Sequence, residues 1–364
     1  MNELKENLQK LTRRLTKIGY ASFYNAMYPL ANNTTKWFTL RNRALPEVRP
    51  LVDLLLLGHT VKIESLDPVV AEAVCVLEKY GLFTFEPENS IRTTGFCLHP
   101  IFGLWMFYEL SSGKISVYFG QDSIGLITRQ MPIVGGTCLD LCSGPGVQAL
   151  YAAKQGETLT TVEINPMAAD LARVNALMND LEDRMDIRLG NLYSAVKGEK
   201  FGRITANPPL LPFPEELPYP IVGHGGNDGF ELTWKIIDGA AEHLTEDGYA
   251  QIIGVGLANA AKKKLCFLPK LLEKAKLHHL DVVVNITNHI WMRNRDDRYF
   301  YGMGVSSQLY CDKPLDEILD IMDQWIARED ADLYVSYDLM ITHGTGKVRV
   351  QDMYDGTNTW MWYV

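Results

Sequence analysis

The sequence predicts an α/β fold built on an open, mostly parallel sheet of seven strands with helices on both faces. Three observations carry this. From 114 to 311, short apolar strand-like runs alternate with segments of helical periodicity. The first of these strands runs into a turn, Cys142-Ser143-Gly144-Pro145-Gly146, whose glycines let a ligand approach the backbone ahead of a helix. The second ends on an acid, Glu163, followed by the helix-starting pair Asn165-Pro166.

The predicted strands are 137–141, 158–164, 187–189, 204–206, 249–255, 281–286 and 299–310. Helices are predicted over 167–181, 230–243 and 260–276. Ligands of such sheets bind beyond the carboxyl ends of the strands, so functional residues are expected just after each strand.

Residues 1–113 read as a separate, mainly helical lobe. Its opening helix carries Leu4, Leu8, Leu11, Leu15 and Ile18 on one stripe, expected to pack on the rest of the protein and not on a membrane. Helices over 46–57 and 66–80 are stopped by Gly58 and Gly81. Strands at 82–85 and 90–94 flank the turn Pro87-Glu88-Asn89. This is the order of a winged helix, yet 67–80 holds only Lys79 as a cation, so a lid or substrate-recognition lobe is expected. Residues 312–364 read as an α+β extension: a helix over 314–327, then a stretch with Tyr334, Tyr337, Tyr354, Trp360 and Trp362, expected to fill core.

Of the 364 residues 47% are hydrophobic, ample for a large core, and the net charge of −9 argues against a nucleic-acid partner. Six scattered cysteines without a CxxC pair read as reduced thiols of a cytoplasmic protein. Cys138 and Cys142 come nearest to a metal spacing but lack companion ligands, so no metal is expected. No run reaches the roughly 18 apolar residues of a membrane span.

The chemistry is concentrated between Asp140 and Leu210. Gly144 to Ala149 satisfies G-x-G-x-x-A, which leaves a nicotinamide-dependent oxidoreductase open. Asp140, ending the first strand, would face two phosphates in a dinucleotide site. In a site for S-adenosylmethionine it can accept from the ligand's ammonium or order a water. Glu163 can accept both hydroxyls of a ribose in either case. The fourth strand ends in Asn207-Pro208-Pro209-Leu210, for which hydride transfer has no use. The Asn207 side-chain oxygen and the Pro208 carbonyl can each accept one N–H of an amino or amide group. That would aim the nitrogen lone pair at a methyl carbon.

With these residues the stretch from Asp140 to about Val255 resembles the Rossmann-like class I methyltransferases. The resemblance is to the Asn-Pro-Pro-aromatic branch, which includes release-factor and ribosomal-protein glutamine methyltransferases and base-amino methylases. Gly225-Gly226-Asn227-Asp228-Gly229 and His243-Leu244-Thr245-Glu246-Asp247-Gly248 extend the match. Cys142 replaces the first glycine of the turn, Asn191 stands where many relatives carry an acid, and Leu210 replaces the aromatic.

The resemblance implies S-adenosylmethionine as cofactor, held by Gln121, Asp140, Cys142, Gly144, Gly146, Glu163, Ile164, Asn191, Leu192 and Asn207. Asn207 and Pro208 would be catalytic, with Pro209 and Leu210 toward the substrate. From the acidic balance and Leu210, the acceptor is expected to be a small molecule or peptide-like metabolite. A protein glutamine, or RNA, is the alternative.

Overall fold

The computed structural model describes residues 2–27, 34–110, 115–133, 136–292, 295, 297–357 and 361–362, with the side chain of Arg298 excepted. The expected 113/114 boundary and Trp360 lie outside the described residues.

Helix α1 (Asn2–Lys17) buries Leu8, Leu11 and Leu15, the predicted stripe, with Leu4 and Ile18 packed at its margins. It is followed by α2 (Tyr20–Asn25), α3 (Thr34–Leu40) and α4 (Arg49–Leu55). Strand β1 (Val61–Lys62) then precedes α5 (Pro68–Leu77), on which α1 packs. Asp67 caps α5 by accepting from the Val69 and Val70 amides, and it pairs with Arg14 of α1. Strands β2 (Phe83–Glu86) and β3 (Ser90–Thr93) form the predicted hairpin, and β1 completes a three-stranded sheet. The pair Glu86–Ser90 closes the three-residue loop Pro87-Glu88-Asn89, in which Glu88 and Asn89 both have φ near +55°.

A second hairpin, β4 (Phe96–Ile101) and β5 (Leu104–Glu109), was not anticipated. It docks on the core through two asparagines of one helix face, described below.

After α6 (Gln121–Arg129) come β6 (Thr137–Leu141), α7 (Val147–Lys154), β7 (Thr158–Glu163) and α8 (Pro166–Met178). Next are β8 (Met185–Leu189), β9 (Phe201–Ala206), α9 (Glu231–His243), β10 (Leu244–Asn259), β11 (Lys264–Leu265), α10 (Leu268–Leu277) and β12 (Leu280–Trp291). The chain closes with α11 (Arg298–Gln308), α12 (Leu315–Arg328), β13 (Leu333–His343) and β14 (Val348–Asp352).

The main sheet runs β8-β7-β6-β9-β10-β13-β12-β14, with β11 paired to β10. Neighbours from β8 to β10 are parallel, and β13 is antiparallel to both β10 and β12. Strand residues alternate between faces. On β10, Ala250 and Ile252 join the core formed with α9 and α10, whereas Ile253, Val255 and Leu257 join the core formed with α11 and α12. The sheet is thus covered on both sides, as a parallel sheet requires.

Two expectations are corrected. The predicted strand at 299–310 is helix α11. Its aromatics suggested a strand, but its buried residues, Phe300, Met303 and Ser307, recur at helical spacing, and the Asp297 side chain caps it at the Tyr299 amide. The seventh strand of the core is instead β13, from the segment read as a separate extension, so the sheet crosses the expected 311/312 boundary. Tyr334 and Tyr337 on it are fully buried, which is the expected core role. Helix α10 also starts later than the predicted 260, because β11 intervenes. Among the described residues no helix is long and apolar enough to cross a membrane, and all six cysteines are free.

Candidate active site

The carboxyl ends of β6, β7, β8 and β9 open on one cleft of about 580 Å³. Each wall follows from a strand end. After β6 the chain turns through Cys142 (φ +55°), Gly144 (φ +56°) and Gly146 (φ +85°) into α7. A Cβ on Gly146 would sit 3.2 Å from the Cβ of Ala172 on α8, so a side chain there would push the two elements apart. Cys142 holds the left-handed conformation that a glycine would take freely, at a cost of order 1 kcal/mol.

Glu163 ends β7 and is almost fully buried. Its Oε2 accepts from the Gly144 amide at 2.7 Å, and its Oε1 accepts from the Asn165 amide at 2.8 Å. One carboxylate thus ties the glycine turn to the start of α8 while lining the cleft. Asn165 then caps α8 by accepting from the Met167 amide, and its Nδ2 donates to the Ser116 carbonyl.

Ile164 is 64% exposed, an isoleucine presented to the cleft and to solvent. Asn191 and Leu192, after β8, also line the cleft, with Leu192 at φ +46°.

Asp140 does not reach the wall. It lies behind the turn, 1% exposed, where Oδ1 accepts from the Thr205 hydroxyl at 2.8 Å. Its Oδ2 is buried and makes no hydrogen bond, and burial raises its pKa to about 6.

The fourth strand delivers Asn207. Its Nδ2 donates to Asp122 Oδ2 at 2.9 Å and to Ser123 Oγ at 3.2 Å, while its Oδ1 is buried without a partner. Pro209 lines the cleft. Pro208 is buried, and Leu210 packs into the core beside Phe213 and Leu217, away from the cleft. The glycine tract explains why: a Cβ on Gly225 would lie 2.8 Å from the Leu210 carbonyl carbon, and one on Gly229 would lie 2.3 Å from the Val255 oxygen. The tract lies directly on the motif's backbone and holds it against β10.

Of the expected site residues, the fold therefore brings Cys142, Gly144, Glu163, Ile164, Asn191, Leu192, Asn207 and Pro209 to the cleft. Gln121, Asp140, Gly146, Pro208 and Leu210 stand outside its wall. The sequence points to the segment from Tyr118 to Ser123 but to Gln121 or Phe119 as its contact residues, and neither lines the cleft; Tyr118, Asp122 and Ser123 as a unit were missed. Tyr118 and Ser123 line the cleft, and the Tyr118 hydroxyl donates to Asp122 Oδ1 at 2.9 Å. The Asp-Ser pair heading a helix was the available signal.

A parallel sheet of this order, with a glycine turn after β6, an acid ending β7 and Asn-Pro-Pro after β9, defines a class I methyltransferase domain. The family model for the methyltransferase small domain matches residues 124–278. The chain is 31% identical over 161 residues to a release factor glutamine methyltransferase of Aquifex aeolicus, covering 40% of this chain and 56% of that protein. It is 30% identical over 138 residues to a putative protein N5-glutamine methyltransferase of Methanocaldococcus jannaschii, covering 36% of this chain and 68% of that one. It is 31% identical over 104 residues to a tRNA1(Val) (adenine(37)-N6)-methyltransferase of Porphyromonas gingivalis, covering 27% and 38%. The chain belongs to the methyltransferase small-domain family. Its match spans about half the length of the release factor and ribosomal protein uL3 methyltransferases it resembles.

These relatives overturn the expected partners. Their names give a release factor, a ribosomal protein and a tRNA as acceptors, not a small metabolite, and they do not set nucleic acid aside. The physical reason is that net charge is a property of the whole chain, whereas an acceptor meets one face.

Proposed function

We propose that this protein uses S-adenosylmethionine to methylate the side-chain amide nitrogen of a glutamine presented on another protein. The observation that carries this reading is Asn207: both amide hydrogens are engaged, and a buried, unpartnered Oδ1 remains at the strand end. A buried acceptor left without a partner costs on the order of 1–3 kcal/mol, which an incoming N–H recovers.

When bound, S-adenosylmethionine supplies a methyl carbon made electrophilic by its sulfonium. The residues present fit such a ligand. Glu163 offers its remaining lone pairs to ribose hydroxyls, exposed Ile164 and half-buried Leu192 offer apolar surface to a flat base, and Asn191 offers an amide to the base edge. The turn from Cys142 to Gly144 lets the backbone come close. Asp140 sits behind that turn, outside the wall, where it would act on the ligand's ammonium only through an intervening water. Toward the acceptor, Asn207 Oδ1 takes one amide hydrogen and the Pro208 carbonyl the other, which fixes the nitrogen for in-line attack. Alignment of this kind contributes several kcal/mol, on the order of 7 in favourable cases.

A protein amide is favoured over a nucleobase by the cleft lining. Tyr118 is the only Phe, Tyr or Trp among the described lining residues, which leaves little aromatic surface on which to stack a base. The relatives with the longest matches are also those named for glutamine.

The test is methyl transfer from labelled S-adenosylmethionine into the protein and RNA fractions of a lysate, with the modified residue read by mass spectrometry. Label on glutamine is expected. Label on adenine alone would replace this reading with the tRNA one. No cofactor binding at about millimolar concentration, against the typical micromolar-to-millimolar range, would end both.

A further inference from the structure

An asparagine amide has the same shape either way round, yet the proposed reaction works in only one orientation. The carbonyl must face the acceptor and the amino group must face the protein. What sets this lies outside the Asn-Pro-Pro motif, in the segment that starts α6. Asp122 is 6% exposed, and two side chains donate to its carboxylate. Its Oδ1 accepts from the Tyr118 hydroxyl, and its Oδ2 accepts from Asn207 Nδ2, each at 2.9 Å. Ser123 Oγ takes the second Nδ2 hydrogen at 3.2 Å.

Burial raises the Asp122 pKa while the bonds from Asn207 and Tyr118 lower it, and in its ionised form the carboxylate only accepts hydrogen bonds. If Asn207 were turned over, two oxygens would face each other in a buried site, and the amide would lose its charge-assisted bond. Tyr118 can reach Asp122 only because residue 120 is glycine: a Cβ there would lie 1.7 Å from the Tyr118 hydroxyl oxygen. Asp122 is not part of the cleft lining, so it meets Asn207 and not the acceptor.

We propose that Asp122, braced by Tyr118, is a positioning residue that locks Asn207 with its carbonyl toward the cleft and so restricts the acceptor to a nitrogen carrying a hydrogen to donate. The inference rests on the methyl-transfer reading for its effect on rate. The lock itself is independent of that reading and is tested separately.

The first measurement is hydrogen exchange of the Asn207 side-chain amide by NMR, in the full chain labelled on asparagine. The Asn207 pair is assigned by its disappearance in Asn207→Ala. Slow exchange is expected in the parent, with exchange at least about tenfold faster in Asp122→Leu and in Tyr118→Phe, since each loses a charge-assisted bond. The conservative Asp122→Asn, whose own carbonyl can still accept, should restore part of the protection. Unchanged exchange in both Asp122→Leu and Tyr118→Phe would overturn the lock, whatever the protein methylates.

The second measurement is turnover with labelled S-adenosylmethionine on the protein fraction. Asp122→Leu is expected to lower kcat by about 100-fold, the scale of a small misplacement, with KM and cofactor affinity within about threefold and partial rescue in Asp122→Asn. Parallel loss of cofactor binding and turnover would mark Asp122 as merely structural. If Asp122→Leu does not fold, Tyr118→Phe carries both measurements, with a smaller fall in kcat. A parent that transfers no methyl to protein, combined with the expected exchange pattern, would refute the proposed function and leave the lock standing.

Discussion

The side chain of Asn207 donates to the carboxylate of Asp122 at 2.9 Å, across 85 residues of chain. The bond joins the end of β9 to the first turn of α6, so the motif residue is oriented by a segment that precedes the whole sheet. Its consequence for reactivity lies in what is left over: one oxygen, buried and unpaired, where a substrate nitrogen would arrive.

Replacing Asn207 with alanine should therefore separate binding from chemistry. Cofactor affinity is expected to stay within a few-fold, and kcat to fall by roughly 100- to 1000-fold, the scale of losing one donor or acceptor aimed at a reacting group. Titration calorimetry and a labelled-methyl assay read the two quantities. A variant that keeps its turnover would remove Asn207 from the reaction.

Glu163 should show the opposite pattern. Glu163→Ala frees the Gly144 and Asn165 amides and removes the acid from the cleft. Lost charge-assisted bonds of this kind are worth about 1.5–3 kcal/mol each, so affinity for S-adenosylmethionine is expected to drop at least about tenfold. Calorimetric titration giving the parent's affinity would show that this acid serves only to start α8.

Asp140 makes stability depend on pH. Burial raises its pKa from 3.8 to about 6 in the folded chain. Between those values the folded chain holds a proton that the unfolded chain has released, so stability rises as pH falls through about 6 toward 4. At neutral pH the buried charge costs roughly 3 kcal/mol, at 1.36 kcal/mol per pK unit. Asp140→Asn removes the charge, and its melting temperature should climb less than the parent's between pH 7 and pH 5. Parallel slopes for the two proteins would place the titration elsewhere.

Asn175 on α8 and Asn179 at its C-cap, one turn apart, extend the hairpin sheet with their side chains. Asn175 accepts from the Phe107 amide at 2.8 Å and donates to the Phe107 carbonyl at 2.9 Å, and Asn179 does the same for Trp105 at 2.8 and 2.6 Å. Asn175 also donates to the Pro145 carbonyl in the glycine turn at 3.0 Å. Asn175→Ala leaves buried backbone groups unpaired and is expected to cost about 2–4 kcal/mol, from roughly 1–3 per orphaned group with partial relaxation. Urea denaturation measures it. A loss below about 0.5 kcal/mol, the level of an ordinary surface change, would refute the role.

What the sequence disclosed followed the range of each signal. The turn at Gly144 and Gly146, the acid Glu163 and the motif at Asn207 are local patterns at strand ends, and all fell at the carboxyl edge of the sheet. Asp122 stayed hidden because its partner is far along the chain and an Asp-Ser pair heading a helix looks like an ordinary helix start. Leu210 was read as facing the acceptor because it follows the prolines. Whether it turns inward depends on Gly225 and Gly229 lying on its backbone, which spacing does not disclose. At 299–310 the residues Tyr299, Phe300 and Tyr301 have strand propensity, and packing against α12 overrode it. That misreading displaced the seventh strand and made β13 look like part of an appendage.

Strand β13 lies between β10 and β12 and is bonded to both along its length. The ordering of events during synthesis follows from this. Until His343 has cleared the ribosome, β10 and β12 each present an open backbone edge, the kind of surface that recruits other chains. The cleft residues, all made by Lys235, must therefore wait for more than a hundred later residues before the sheet beneath them can close. A nascent chain stalled in that interval would carry every cleft residue and still be a candidate for aggregation.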